Sequence, residues 1–352
     1  MKEHNTKGIV VVGLDLGDKH CQFCGVNSLG EPVLERRFRQ THAGLDRHFQ
    51  GKGPWRVVLE AGTPTRWIKK HLEGLGHEVK VVNPRKMRVI YENDSKSDVV
   101  DARELAEGGL SRWNRLPVVT LRGDDAQGRL AVIKTRDLLV RSRTALASQA
   151  RSFLKQEGLC PPKCSPSAAP RRLRPLIPDT HEVALEALLT QIESLTERIK
   201  ALDKWIEQQS LGNTAIKHLR SVPGVGPITA AAYVWTLDDP GRFAKSRTAG
   251  AYLGLRPRRD QSGEKDRQLR ITKAGNGLLR RLLVSCAQYI LGAFGPDTAL
   301  RRWGLARAAR GGRLAKRKAV VGVARKLAVI LHHLWGTGEA YEPFPENTRA
   351  AA

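Results

Sequence analysis

The sequence predicts a mixed α/β domain over residues 1–122 followed by a mainly helical remainder. Three observations carry that expectation. β-branched runs alternate with helix-like stretches before residue 110, a Leu/Ile heptad seam runs from Leu185 to Ile206, and the C-terminal third is Ala- and Leu-rich with glycine interruptions.

The elements follow in order. Gly8 to Gly17, GIVVVGLDLG, is a β-branched run ending on Asp15 and a glycine, and Cys21 to Asn27 with Pro32 to Phe38 adds two strands to make a meander. A helix-like stretch near Leu45 to Phe49 precedes a buried strand, Trp55 to Glu60, again closed by an acid. Pro64 to Leu75 reads as a helix with proline at its start, and Glu78 to Val82 as a strand. Asp98 to Gly108 reads as a helix stopped by the pair Gly108-Gly109. A meander followed by strand–helix alternation means a mixed sheet with crossover units.

From Asp125 to about Glu157 the chain is proline-free and rich in Ala, Leu, Arg and Gln, which predicts one long basic helix. Gly158 to Pro178, with several prolines and two cysteines, breaks it. Leu185, Leu188, Ile192, Leu195, Ile199, Leu202 and Ile206 then form a coiled-coil seam that needs a partner helix. That partner is either the preceding helix folded back or the same helix of a second subunit, and the Ile-then-Leu pattern favours a homodimer or higher homo-oligomer. The expected divisions are a first domain over 1–122, a helical connector over 123–212 with its break at 158–180, a domain of short helices with glycine breaks over 213–338, and a frayed tail over 339–352.

Composition narrows the function. The 352 residues carry 60 Lys and Arg against 35 Asp and Glu, a net charge of +25, and are 41% hydrophobic, which excludes a wholly disordered basic protein. A surplus of this size implies a polyanion, and nucleic acid is favoured over membrane because the basic residues are not confined to one amphipathic stripe. The charge is lopsided: Gly241 to Leu283 has twelve basic and three acidic residues, and Arg301 to Lys326 has ten and none, so a polyanion should lie there first. No apolar run approaches the ~18 residues of a membrane span, so a cytosolic protein with reduced cysteines is expected. Cys21-x-x-Cys24 and Cys160-x-x-x-Cys164 could offer zinc four thiolates, a weak signal beside ordinary packing.

Acids close the predicted strands at Asp15 and Glu60, and Asp98 and Asp101 stand three apart at a helix start, on one face. Such carboxylates at the strand ends of an α/β sheet suit a hard cation such as Mg²⁺ that clamps phosphate oxygens. Each alone is equally an ordinary solvated acid, and Asp98 would serve as a helix N-cap. Val222-Pro-Gly224-Val-Gly226-Pro-Ile-Thr is similar to the hairpin of a helix-hairpin-helix module, with Gly224 and Gly226 leaving backbone N–H groups for a phosphate or simply joining two helices.

Val-Gly-Leu-Asp15-Leu-Gly, Leu-Glu60-Ala-Gly-Thr and Lys96-Ser-Asp98-Val-Val-Asp101-Ala resemble the DEDD transposases of the insertion sequence 110/1111 family. The resemblance continues through Ser221 to Ala230, Ala251-Tyr-Leu-Gly-Leu-Arg-Pro257, Ser262-Gly, Ile271-Thr-Lys-Ala-Gly-Asn276 and Leu279 to Leu283, covering nearly the whole chain. It implies an RNase H-like (RuvC-like) first domain, a coiled-coil connector and a C-terminal transposase domain. It also implies a cytoplasmic bacterial enzyme acting at the nucleoid, in which Asp15, Glu60, Asp98 and Asp101 bind Mg²⁺ and Ser262 attacks a phosphodiester. The partners it implies are donor and target DNA and a structured guide RNA. Arg256, Arg258, Arg259, Lys265, Arg267, Lys273, Arg280 and Arg281 are the expected phosphate contacts, some balancing charge at the reacting phosphorus. The chain departs from the family pattern at Asp18 and Lys19, at Glu264 and at Arg270, leaving Ser221 and Ser246 as other candidate hydroxyls. A RuvC-like two-metal nuclease without serine chemistry and a basic nucleic-acid-binding protein are the alternative readings.

Overall fold

The computed structural model describes residues 6–87, 97–263 and 265–344, with the side chains of Arg85, Lys265, Asp266 and Gln268 outside that description. Lys96, Glu264 and the tail beyond Phe344 therefore lie outside the described residues. Contacts divide the chain into two compact units, Met1–Leu121 and Arg122–Ala352.

The first unit is a five-stranded mixed sheet. β1 (Val11–Leu16), β2 (His20–Val26) and β3 (Pro32–Arg39) form the meander, and β4 (Arg56–Glu60) and β5 (Glu78–Val82) follow α1 (His42–Phe49) and α2 (Thr65–Gly74). The spatial order is β3-β2-β1-β4-β5, antiparallel among the first three strands and parallel from β1 through β4 to β5. Side-chain alternation sorts this sheet into two buried faces. Val12, Leu14, Phe23, Val57, Leu59 and Val81 pack with Leu45 and Phe49 of α1 and Ile68 and Leu72 of α2. The opposite face, carrying Val11, Val58 and Val82, is covered by α4 (Asp98–Arg112), which follows the single turn α3 (Pro84–Met87).

Helix α4 runs through Gly108 and Gly109, where composition predicts its end. The reason is packing: a Cβ on Gly109 would lie 2.7 Å from both Val11 and Val58, and one on Gly13 would lie 1.9 Å from the Ala102 carbonyl oxygen. Glycines on helix and strand thus let the two backbones close together. Arg103 of α4 donates two hydrogen bonds to Glu35 of β3, whose carboxyl the guanidinium holds below its ordinary range.

The second unit is mainly helical. α5 (Asp124–Gln156) and α7 (Glu182–Ser210) pack as an antiparallel hairpin, with α6 (Ala169–Leu173) in the proline-rich connection. Leu185 and Ile192 bury against Ala147, Ala150 and Leu154, and Arg136 of α5 pairs with Asp203 of α7. The heptad seam is thereby filled within one chain, so it gives no support of its own to a second subunit. α8 (Thr214–Arg220), α9 (Pro227–Leu237), α10 (Ser246–Tyr252), α11 (Gly277–Leu291), α12 (Ala299–Ala308) and α13 (Gly312–Thr337) complete the unit around one core. α13 corrects the expectation of short, glycine-broken helices. By length and composition it is also apolar enough to cross a membrane, unlike the reading that no run approaches that length, but Val323, Leu327, Ala328 and Leu331 bury in this core.

A second correction is a β-ribbon, β6 (Pro257–Ser262) and β7 (Lys265–Ile271), where helices alone are predicted. Its polar sequence shows no apolar alternation, so periodicity gives no strand signal there.

Candidate functional site

Two sets of residues singled out by the sequence fall in the two units. In the first unit, Asp15 is next to last in β1 and Glu60 closes β4. The parallel register pairs Leu14 with Leu59, so the following residues, Asp15 and Glu60, are neighbours on one face at the same end of the sheet. That face is the one α4 covers. Helix and strand run oppositely: Gly109 lies at Val11 and Ala102 at Gly13, which carries the start of α4 toward Asp15. Asp98 and Asp101 stand four residues before Ala102 and Leu105, one turn earlier on the helix face that meets the sheet. All four acids are therefore gathered at one end of one sheet face.

Their local settings are specific. The N-cap of α4 is Ser97, whose hydroxyl accepts the Val100 amide at 3.3 Å, so Asp98 sits in the first turn and does not cap it. Gln22, the antiparallel partner of Asp15, shares its face and is nearly buried, a neighbour that no sequence signal marks. Donor chemistry fits a hard cation, since all four groups are carboxylates. Among the described residues, no three His, Cys, Asp or Glu side chains close on one point, so the acids are gathered without being clustered at ligating distance.

The cysteines do not form a zinc centre in this unit. Cys21 packs on the α1–α2 face and Cys24 on the α4 face, so the two thiols point to opposite sides of β2. Burial pushes each up to about 12, with Asp15 adding to the effect at Cys21 and Glu35 at Cys24.

In the second unit, Ser262 is the last residue of β6 and faces Lys265 across the turn through Gly263, whose φ of +55° lies in the left-handed region such a turn requires. Arg258 to Gly263 are all exposed. Asp260 and Ser262 share one face of the ribbon, with Arg267 paired to Asp260 beside them. The other predicted contacts are not equivalent. Arg256, Arg258, Arg259, Arg267 and Lys273 are exposed on or beside the ribbon, and Lys273 adopts φ +55°. The side chain of Lys265 lies outside the described residues.

Arg280 points inward instead. Its Nη1 donates to the carbonyls of Leu253 at 2.9 Å and Ala274 at 2.8 Å, tying together the chain segments that enter and leave the ribbon. Burial, with Arg281 adding like charge, lowers its pKa. Arg281 pairs with Asp137 of α5 at 2.6 Å. Of the other hydroxyls, Ser221 donates to the His218 carbonyl, and Ser246 meets His332 Nδ1 at 3.0 Å.

Gly224 and Gly226 lie in the connection between α8 and α9. Gly224 has φ +83°, and a Cβ there would lie 2.9 Å from Tyr289, so this glycine seats the turn on α11. Gly226 starts α9 with open space around it. Of the aromatics considered for base stacking, Trp235 is buried in the core, Tyr252 packs edge-on to Phe243, and Trp303 holds cations on its ring.

Comparison with known proteins gives a consistent picture. A DEDD-transposase family model of the IS110 type, described as Transposase, matches residues 12–158, and one described as Transposase IS116/IS110/IS902 family matches 216–302. The chain is 31% identical over 290 residues to the transposase for insertion sequence element IS1328 of Yersinia enterocolitica, covering 80% of this chain and 83% of that one. It is 30% identical over 344 residues to the putative transposase y4pF/y4sB of Sinorhizobium fredii, covering 95% and 86%. With the transposase for insertion sequence element IS1111A of Coxiella burnetii it shares 29% over 299 residues, covering 82% and 80%.

Proposed function

Because the chain belongs to the IS110 family of insertion-sequence transposases, enzymes that cut and rejoin DNA, we propose that it does so by transesterification at Ser262, with Asp15, Glu60, Asp98 and Asp101 as a Mg²⁺-binding set. The observation that carries this reading is the gathering of four carboxylates at one end of one sheet face. The mixed sheet, a meander followed by two parallel strands, supports an RNase H-like identity for the first domain.

The chemistry that Mg²⁺ supplies at such a site is charge neutralisation on the phosphodiester oxygens and a lowered barrier to hydroxyl attack. The chain's own residues do the rest. The Ser262 hydroxyl is a weak nucleophile at neutral pH, and its exposed position at the ribbon tip admits a DNA backbone without rearranging a core. Attack forms an ester between Oγ and phosphorus as the bond to one deoxyribose oxygen breaks. Phosphodiester energy is thus held in the protein–DNA link, and rejoining to a second strand needs no external energy source. Arg258, Arg259 and Arg267 along the ribbon balance charge on the five-coordinate phosphorus. Donor and target DNA are the substrates, and a structured guide RNA that pairs with both supplies specificity. Two or more copies of the chain would act together on two DNA sites.

The test is a denaturing gel of protein incubated with Mg²⁺, candidate guide RNA and labelled donor and target DNA. Wild type is expected to give a protease-sensitive covalent adduct and joined product, and Ser262→Ala neither. Cleavage without an adduct, equal in both proteins, would replace the serine mechanism by water attack in a two-metal nuclease.

A further inference from the structure

The stretch from Arg301 to Lys326 holds ten basic residues and no acid, yet none of them has a part in the proposed chemistry. The structure gathers several of them. α12, α13 and the segment 339–343 line a groove of about 1300 Å³ whose walls carry Arg247, Arg307, Arg325 and Lys326. Trp303 stands in it with the Arg307 guanidinium 4.3 Å from its ring centroid and the Lys326 ammonium 4.5 Å from it. One indole therefore holds two like charges on its ring.

This arrangement is electrostatically unfavourable in isolation. Among the described residues, none of Arg247, Arg307, Arg325 and Lys326 has a carboxylate within 4.0 Å. Burial lowers the Lys326 pKa, and Arg307 adds to the effect. Cations that line one groove without a carboxylate partner, the exposed Arg247, Arg307 and Lys326 among them, are what a polyanion stabilises, since each phosphate that enters relieves repulsion and releases counterions.

The groove also holds a competitor. After α13 the chain turns back across it as Glu339-Ala-Tyr-Glu342-Pro, and both glutamates line the groove. Tyr341 anchors the segment by packing against the core, with its hydroxyl hydrogen-bonded to Thr298. The Ala299 amide donates to the Pro343 carbonyl at 2.8 Å, Glu339 meets His333 at 3.1 Å, and Arg302 stacks on Phe344. An acidic strap thus borders the basic groove, anchored at Tyr341 and with both glutamates exposed.

We propose that the α12–α13 groove is a binding site for the phosphodiester backbone of a single nucleic-acid strand, closed in the free protein by the strap 339–343, which the strand displaces. The site lies apart in sequence from the ribbon and uses none of its residues, so it goes beyond the Ser262 chemistry. RNA and DNA strands present the same backbone here, and the test separates them.

The experiment is fluorescence anisotropy of the full chain with labelled 20-residue oligouridine and oligothymidine, each titrated at several salt concentrations. Arg307→Gln/Lys326→Gln keeps polar side chains over Trp303 while removing both charges. It is expected to weaken binding about tenfold near 0.1 M salt and to flatten the log–log salt slope by about 1.4, roughly 0.7 for each lost phosphate contact on a single strand. Glu339→Gln/Glu342→Gln is expected to tighten binding severalfold in the wild-type background and not in the Gln pair. Hydrogen exchange supplies a reading that does not depend on those variants. Protection of the Ala299 amide, which the strap provides, is expected to fall when oligonucleotide binds. Unchanged affinity and slope in the Gln pair, tightening by the strap change in both backgrounds alike, or a protected Ala299 amide in the complex would each overturn the proposal. A preference for uridine or thymidine strands identifies the natural strand, and either upholds it. Ser262→Ala is expected to bind as wild type does, so failure of the serine chemistry and failure of this site give different results.

Discussion

Asp15 and Glu60 stand at the same end of two neighbouring parallel strands of a sheet buried on both faces, whereas Ser262 stands at the turn of a two-stranded ribbon that is exposed from Arg258 onward. The difference lies in what holds each group. The acids are fixed by core: Val11 and Val58 under Gly109 and the Gly13–Ala102 contact set where α4 begins. The ribbon that carries the serine is held at its base, by the Arg280 guanidinium on the Leu253 and Ala274 carbonyls and by the Thr272 and Lys273 amides on the Arg256 and Gly254 carbonyls. An isolated ribbon is marginally stable in water. In the proposed reaction, then, one part of the machinery is shaped before substrate arrives and the other is ordered by the strand it attacks.

The comparison is sharpest in activity. Asp15→Asn and Ser262→Ala should each lower strand joining by on the order of 10³-fold or more while leaving the melting temperature near that of wild type. They should differ in the adduct assay: Ser262→Ala cannot form the covalent link at all, while Asp15→Asn keeps the nucleophile and forms it slowly. Equal joining by either variant and wild type breaks the proposed division of labour.

In stability the order between regions reverses. A methyl group on Gly13 meets a backbone carbonyl oxygen at 1.9 Å and the Ala106 amide nitrogen at 2.5 Å, and backbone cannot swing aside as a side chain can. Gly13→Ala should cost about 3 kcal/mol and displace α4, taking Asp98 and Asp101 with it. Gly263→Ala meets nothing within 4 Å and costs only the left-handed backbone, about 1 kcal/mol. Denaturant melts followed by circular dichroism check both, and similar losses would mean that the acid end is no more rigidly built than the ribbon.

Arg280→Ala should lie between these in stability, about 1–2 kcal/mol for two partly buried carbonyls left without their donor. Its effect on joining should exceed what that loss explains, because the ribbon carrying Ser262 loses its clamp. Arg280→Lys keeps the charge but carries it on a shorter side chain, whose nitrogen falls short of the point from which Nη1 serves both carbonyls, so it should resemble Ala more than wild type. Full activity in Arg280→Lys would show that charge, not geometry, is what this position supplies.

Legibility in the sequence follows the same division. β1, β4 and the acids at their ends were readable because β-branched runs closed by Asp15 and Glu60 state both the strand and the residue at its tip. The end of α4 is not legible, because Gly109 serves packing against Val11 and Val58, and composition cannot distinguish a glycine that stops a helix from one that lets it approach a sheet. Gly322 misleads in the same way within α13, where a Cβ would lie 3.2 Å from Trp303. The ribbon was invisible as a strand pair: Arg-Arg-Asp-Gln-Ser and Lys-Asp-Arg-Gln-Leu-Arg are polar on both faces, so nothing in them marks an inside. Ser262 was found through resemblance alone. Arg280 reads as a nucleic-acid contact in the sequence because its inward turn depends on tertiary carbonyls, in one case 27 residues away.

The smallest expected effect compares one buried histidine in each unit. His77 accepts the Trp55 amide at Nδ1 and donates from Nε2 to the Phe49 carbonyl, each at 3.2 Å. His332 donates from Nε2 to the Pro240 carbonyl and accepts the Ser246 hydroxyl at Nδ1, each at 3.0 Å. His77 Nδ1 must accept, which a protonated imidazole cannot do, whereas the Ser246 hydroxyl can turn to accept from a protonated His332, so the geometric constraint is stricter at His77. Burial, the leading cause in each, lowers both pKa values from 6.5. The unfolded chain therefore binds more protons than the folded one as pH falls below 6.5, and stability must fall with it until the depressed folded values are passed, after which these two groups contribute no further slope. Above 6.5 both are neutral in either state and contribute none. His77→Gln should flatten the acid slope of the first unit and His332→Gln that of the second, as read by thermal melts of the full chain from pH 7.5 to 5. Direct titration of the two imidazoles by NMR sharpens the comparison: each should stay neutral below pH 6.5. If either protonates at an ordinary value, its buried acceptor bond is not the feature that holds its unit together.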